Sequence, residues 1–93
     1  FTKTLVPVML AQYEGEKLIS RSQAKRLVAR LDRFLEVALD FSGVTDIGPA
    51  FADEIFRVYQ NEHPNVHLYS LNATLSVQQV IRRVVKGEIQ MPQ

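Results

Sequence analysis

The sequence predicts an α/β fold: a mixed, mostly parallel four-stranded sheet covered by three helices, in the order β-β-α-β-α-β-α. Three observations carry that prediction. Residues 36–41 (EVALDF) are nearly continuous in apolar side chains, which suits a central strand covered on both faces. Ala24, Leu27, Val28 and Leu31 recur at i, i+3, i+4 and i+7, the stripe of a helix with one buried face. Helical patterns then alternate with short apolar runs, which implies right-handed crossovers between parallel neighbours.

The elements follow in order. Residues 5–11 (LVPVMLA) read as a strand. Pro7 cannot donate to a ladder, so that strand belongs at a sheet edge or carries a bulge. Tyr13-Glu14-Gly15-Glu16 reads as a turn, with Gly15 free to take positive φ. Residues 17–19 (KLI) are then expected to close a hairpin as a second, antiparallel strand. Ser20 and Gln23 form a capping box: the hydroxyl reaches the Gln23 N–H, and the Gln23 side chain reaches back. The helix they open is expected to end near Arg33. Gly48-Pro49 opens the next helix, because proline suits the first helical position. Phe51, Ile55, Phe56 and Tyr59 mark its buried face. Residues 66–71 (VHLYSL) are the last strand, and Val77, Val80, Ile81, Val84 and Val85 give the stripe of the last helix. Lys86-Gly87 stops it, a cation at the negative pole followed by a residue suited to a left-handed cap.

The 93 residues are enough for one domain, 1–93, and too few for two. A hydrophobic content of 46% with 23% charged residues is that of a globular chain. No apolar run approaches the roughly 18–20 residues of a membrane span, and no membrane partner is expected. Cysteine is absent, which excludes disulfides and thiolate metal sites and fits a reducing, cytoplasmic setting. The chain begins at Phe1 and reads as a piece of a longer protein. The net charge of +1 selects no partner, but its distribution is uneven. Arg21, Lys25, Arg26, Arg30 and Arg33 crowd one helix, while Asp40, Asp46, Asp53 and Glu54 gather mid-chain, which predicts two faces of opposite sign.

Little of this is catalytic chemistry. His63 and His67 are separated by Pro64 and straddle a loop-strand junction, so they cannot form a helical metal pair. Asp40 and Asp46 could share a Mg²⁺ at one loop; the plainer reading is a local cap and a solvated carboxylate. No metal, cofactor or catalytic residue is assigned. Arg21, Lys25, Arg26 and Arg30 could bind phosphate groups of a ligand or a nucleic acid, though no aromatic residues interleave with them. Neither a phosphate-cradling glycine loop nor a Ser/His/Asp set can be proposed from spacing.

The element order resembles the STAS domain of sulfate transporters and anti-sigma factor antagonists. The stretches ISRSQAKRLVARL (19–31) and DFSGVTDIGPAFADEIFRVY (40–59) resemble the bacterial STAS-like domain of uncharacterised function more closely. The likeness runs from about Val6 to Val84. In antagonist STAS domains a D-S-S-G segment opens the second helix, and one of its serines accepts phosphate from a histidine-kinase-like ATPase. Here that segment falls on Gly48, Pro49, Ala50 and Phe51, none of which carries a hydroxyl. Ser42 and Thr45, the nearest hydroxyls, lie earlier in the loop. The resemblance therefore implies a non-catalytic regulatory or signalling module that binds a protein partner, such as a histidine-kinase-like ATPase domain in cis or in trans. Its contact residues would be Asp46, Ile47, Pro49, Ala50, Asp53, Glu54 and Arg57. A phosphate ligand or nucleic acid on the basic helix is the alternative, and a homodimer through an edge strand is a further expectation.

Overall fold

The computed structural model describes residues 2–13 and 15–87. Three strands, β1 (Lys3–Pro7), β2 (Glu36–Asp40) and β3 (His67–Leu71), form a parallel sheet in the order β1-β2-β3. Registry is unbroken across it: Leu5 lies opposite Ala38, and Ala38 opposite Tyr69. The central position of β2 follows from its sequence. Val37, Ala38 and Leu39 are all buried, so neither face of this strand meets water, whereas β1 and β3 alternate between half-buried and exposed residues.

Strands that follow one another in space as in sequence, joined by right-handed crossovers, place their connecting helices on one face. The contacts agree. The middle helix, continuous over residues 49–62, packs against both the first helix (Arg21–Val28) and the last (Leu75–Val85). Val37 and Leu39 point into this layer and meet Leu27, Val28, Phe51, Ile55, Val77 and Val84 in one core. The opposite face carries the row Leu5, Ala38, Tyr69 and is uncovered among the described residues.

Three expectations need correction. The first strand ends at Pro7, and Val8–Ala11 turn as a 3₁₀ segment, because the ring removes the donor that would continue the ladder. Residues 17–19 form no strand, so among the described residues the sheet has three strands, all parallel, and is not a mixed four-stranded one. Their backbone groups are claimed elsewhere. The Gln23 side-chain oxygen accepts from the Ile19 and Ser20 N–H groups at 2.9 Å, and its amide donates to the Lys17 carbonyl at 2.8 Å. The Leu18 carbonyl accepts from Gly48 N–H at 2.8 Å, which leaves Leu18 buried in the core. The expected turn is present as a Glu16 N–H to Tyr13 carbonyl bond over Gly15 at φ +78°; its Glu14 lies outside the described residues. Finally, the first helix stops at Val28. Arg30 adopts a left-handed conformation (φ 71°), and Leu31–Arg33 continue as a 3₁₀ turn that still buries Leu31.

The capping box at Ser20 forms as the sequence predicts. Gln23 therefore does two jobs, capping the helix and fastening the segment before it. Gln23→Ala should lower unfolding stability by about 2 kcal/mol and the melting temperature by about 10 °C. Exposed Ser22→Ala should stay within about 0.5 kcal/mol. Thermal denaturation checks both, and an unchanged Tm for Gln23→Ala would remove the fastening role.

Candidate functional site

Open parallel sheets gather their functional groups outside the carboxyl ends of the strands. Here that end is built, among the described residues, by the loop after β2, the loop after β3, and residues 8–13 and 15–19. Asp40 closes β2. Its carboxylate accepts from the Ser42 hydroxyl at 2.7 Å, the Ser42 N–H at 3.0 Å and the Asn72 side-chain amide at 3.1 Å. The Ser42 hydroxyl, then Asn72 and the Ser42 N–H, hold its pKa below the usual carboxylate value. Asp46 accepts from its neighbour Ile47 N–H at 2.9 Å and from the Ser76 hydroxyl at 2.8 Å. Thr74 caps the last helix through Val77 N–H and donates its hydroxyl to the Thr45 carbonyl at 2.9 Å. The two loops are thus sewn together, and each aspartate is already engaged by its neighbours. Among the described residues no three His, Asp or Glu side chains are gathered where they could hold a metal. His63 stacks on Tyr59 at 4.2 Å, with Nδ1 3.1 Å from the Tyr59 carbonyl. His67 lies apart, exposed at the start of β3.

The start of the middle helix sits beside this polar seam. Gly48 is buried, because a Cβ there would lie 3.1 Å from the Ile19 Cα. Pro49 is exposed at the first helical position, and Ala50 is half-buried behind it. Of the seven expected contact residues, Asp46, Pro49 and Arg57 are exposed, and Ala50 and Asp53 are partly so. Ile47 and Glu54 are buried and leave the set. Ile47 packs into the core under the loop. Glu54 begins a π-helical stretch, Glu54–Tyr59, whose wider turn departs from the 3.6-residue period, and both Glu54 and Ile55 are buried there.

The two faces of opposite sign are joined at one point. Arg21 of the basic helix donates to Asp53 at 2.8 Å and to Glu54 at 3.4 Å. Arg57, one turn on, grips both Asp53 oxygens at 2.5 and 2.8 Å. Hydrogen bonds from Arg57 first, and from Arg21, outweigh the effect of burial and depress the Asp53 pKa. Of the expected phosphate-binding set, Arg21 is therefore committed to carboxylates. Lys25, Arg26 and Arg30 are exposed, with the Arg26 guanidinium 5.0 Å from the Tyr13 ring centre.

Sequence reasoning missed one contribution to this end of the sheet. Met9, Leu10 and Ile19 are 51%, 76% and 58% exposed. Met9 lies over Gly43, its Sδ 3.1 Å from where a Cβ would stand, and Ile19 lies over Gly48. Pro7 as a strand terminator was the available signal: everything apolar after it had to fold back across the sheet end.

The chain is therefore a one-sided α/β module, with helices on one face and a small apolar platform at the carboxyl end of its strands. It belongs to the family of the STAS-like domain of unknown function (DUF4325), whose model matches residues 23–78, from inside the first helix to the first turn of the last. No curated protein and no solved structure matches the chain.

Asp53 ties two helices together, so Asp53→Asn should cost about 1 kcal/mol at pH 7. Because its folded-state pKa lies below the ordinary 3.8, that stability is present above the unfolded-state value and lost as pH falls through the folded one. Urea unfolding at pH 7 and at pH 3 or below should show the gap between wild type and variant closing in acid. A gap that is constant with pH would detach it from the Asp53 charge.

Proposed function

We propose that this domain is a non-catalytic regulatory module that docks a protein partner through the start of its middle helix. The observation that supports this most directly is the surface around Pro49. Exposed Ile19 lies over Gly48, next in sequence to Pro49 and Ala50, exposed Met9 lies over Gly43 of the loop that leads there, and exposed Asp46 in the same loop bonds Ser76. An apolar centre with a polar rim is the anatomy of a protein contact. No side chain from Gly48 to Phe51 can attack a substrate or accept a phosphate. A partner reads this corner by shape, and the phosphate-dependent release that a serine would allow is missing from it. The partner class, a histidine-kinase-like ATPase domain in cis or in trans, rests on the resemblance to the antagonist STAS domains. The contact set becomes Asp46, Pro49, Ala50, Asp53 and Arg57, joined by Met9, Leu10 and Ile19.

A phosphate ligand or nucleic acid on the first helix is the weaker reading, since Arg21 is engaged by Asp53 and Glu54. Lys25, Arg26 and Arg30 alone would give a shallow salt dependence.

Ala50→Arg places a long charged side chain on the platform. Titrated with histidine-kinase-like ATPase domains by calorimetry, the wild-type domain should bind one of them. The variant should bind at least about tenfold more weakly, a loss of about 1.4 kcal/mol, with Tm changed by less than about 2 °C. Equal affinity of the two proteins for that partner would rule out the surface. ATP turnover by the isolated domain would rule out the non-catalytic reading.

A further inference from the structure

A second surface lies on the far side of the sheet from β1. The hydrogen bonds of β3 fix which of its groups face outward. His67 N–H donates to the Leu35 carbonyl, and the Leu71 carbonyl accepts from Phe41 N–H, so residues 67, 69 and 71 bond toward β2. In a parallel ladder the backbone groups alternate sides. The N–H and C=O of Leu68 and Ser70 therefore point to the outer edge, where no strand of the described residues pairs with them. Beside that edge, between β3 and the last helix, runs an open groove of about 730 Å³ lined by Ser70, Asn72, Ile81, Arg82, Val85 and Lys86. Its helix wall carries Ile81 and Val85 beside Gln78, Arg82 and Lys86, and Val85 is 61% exposed there. Among the described residues its charges are all positive: Arg82 and Lys86 line it, no carboxylate does, and neither forms an ion pair.

We propose that this groove takes an extended, acidic peptide segment of a partner protein, which adds to the sheet as a fourth strand along β3. Two outward N–H and two outward C=O groups, spaced two residues apart, are the template for strand addition. Side chains of an added strand point alternately to the two sides of the sheet. One set would lie on the helix side, with a short apolar residue against Ile81 and Val85 and acidic residues beside Arg82 and Lys86. The other set would lie beside Tyr69 and Leu71 on the uncovered face. Carboxylates within reach of Arg82 and Lys86 supply the two charges the groove lacks, which sets the peptide's sign. This surface is separate from the platform at Pro49, and the two can be lost independently.

The test uses the full chain, with Glu-Thr-Val-Thr-Glu as probe, whose acids and valine share one face, and Lys-Thr-Val-Thr-Lys as charge-reversed control. Amide hydrogen exchange of the free chain should be fast at Leu68 and Ser70 and slow at Tyr69 and Leu71. Saturating acidic peptide should slow Leu68 and Ser70 by tenfold or more. The control should bind at least tenfold more weakly, and Arg82→Glu with Lys86→Glu should reverse that preference. Ser70→Pro, which deletes an outward donor the sheet does not use, should abolish binding; if it unfolds the chain, the charge reversal on the exposed helix positions still decides. Slow exchange at Leu68 and Ser70 in the free chain would overturn the proposal. Slow exchange that persists on dilution would mean that the chain covers its own edge; slow exchange that dilution relieves would mean that a second copy covers it. Equal binding of both peptides, or protection that bypasses β3, would overturn it as well.

Discussion

The burial of β2 on both of its faces is the constraint on which the rest of this structure depends. A five-residue strand with Val37, Ala38 and Leu39 all out of water must have a neighbour on each edge, a layer over one face and flanking side chains that shelter the other. β1 and β3 supply the neighbours, each in parallel registry. Because those strands come before and after β2 in sequence, both crossovers run in the same sense and deliver their helices to one side. That side becomes the core. On the other, Ala38 is sheltered in a row with Leu5 and Tyr69, which are themselves exposed. Among the described residues, a small parallel sheet of this order is thus left with one helical layer, one bare face and two open edges. These exposed surfaces follow directly from the topology.

The fold was legible where a local signal and the tertiary structure agreed. The capping box at Ser20, the stripe from Ala24 to Leu31, the proline at the head of the middle helix and the apolar run of β2 all carry their meaning within a few residues. It was illegible where a side chain outbid the backbone. Residues 17–19 have a strand's composition, but the Gln23 amide and Gly48 take the groups that a hairpin would need. Gln23 was read from sequence as a helix cap, which it is. Its reach to Ile19 and Lys17 depends on a loop geometry that no pattern encodes. The truncated first strand is a different case, since Pro7 announced its end and the apolar residues beyond it obscured the signal.

The position of the proposed corner in the fold was legible in the sequence, and the exposure of its residues only in part. The corner at Gly48-Pro49 lies where a strand-to-helix junction must lie. Ile47 and Glu54 were misassigned because burial there is decided by the loop's fold-back and by the π-helical stretch, and neither has a 3.6-residue signature. Their loss is offset by Met9, Leu10 and Ile19, whose exposure also depends on the loop. Arg21 shows the same limit for charge: a cation on a basic helix was counted toward phosphate, yet Asp53, thirty-two residues away, holds it.

In the proposed reading, the lack of reactive groups and the docking role of this corner have a common origin. The polar groups at the carboxyl end of the sheet are spent on one another: Asp40 on Ser42 and Asn72, Asp46 on Ser76, Thr74 on Thr45. Asp40 is made a weaker base by these bonds, because they stabilise its ionised form and lower its pKa. The same bonds hold the loop rigid beside Pro49, and a rigid apolar patch loses little conformational entropy when a partner covers it. Replacing these hydroxyls and carboxylates by unpaired ones would free reactive groups and loosen the platform at once. A domain that binds through this corner is therefore better served by having no reactive group in it.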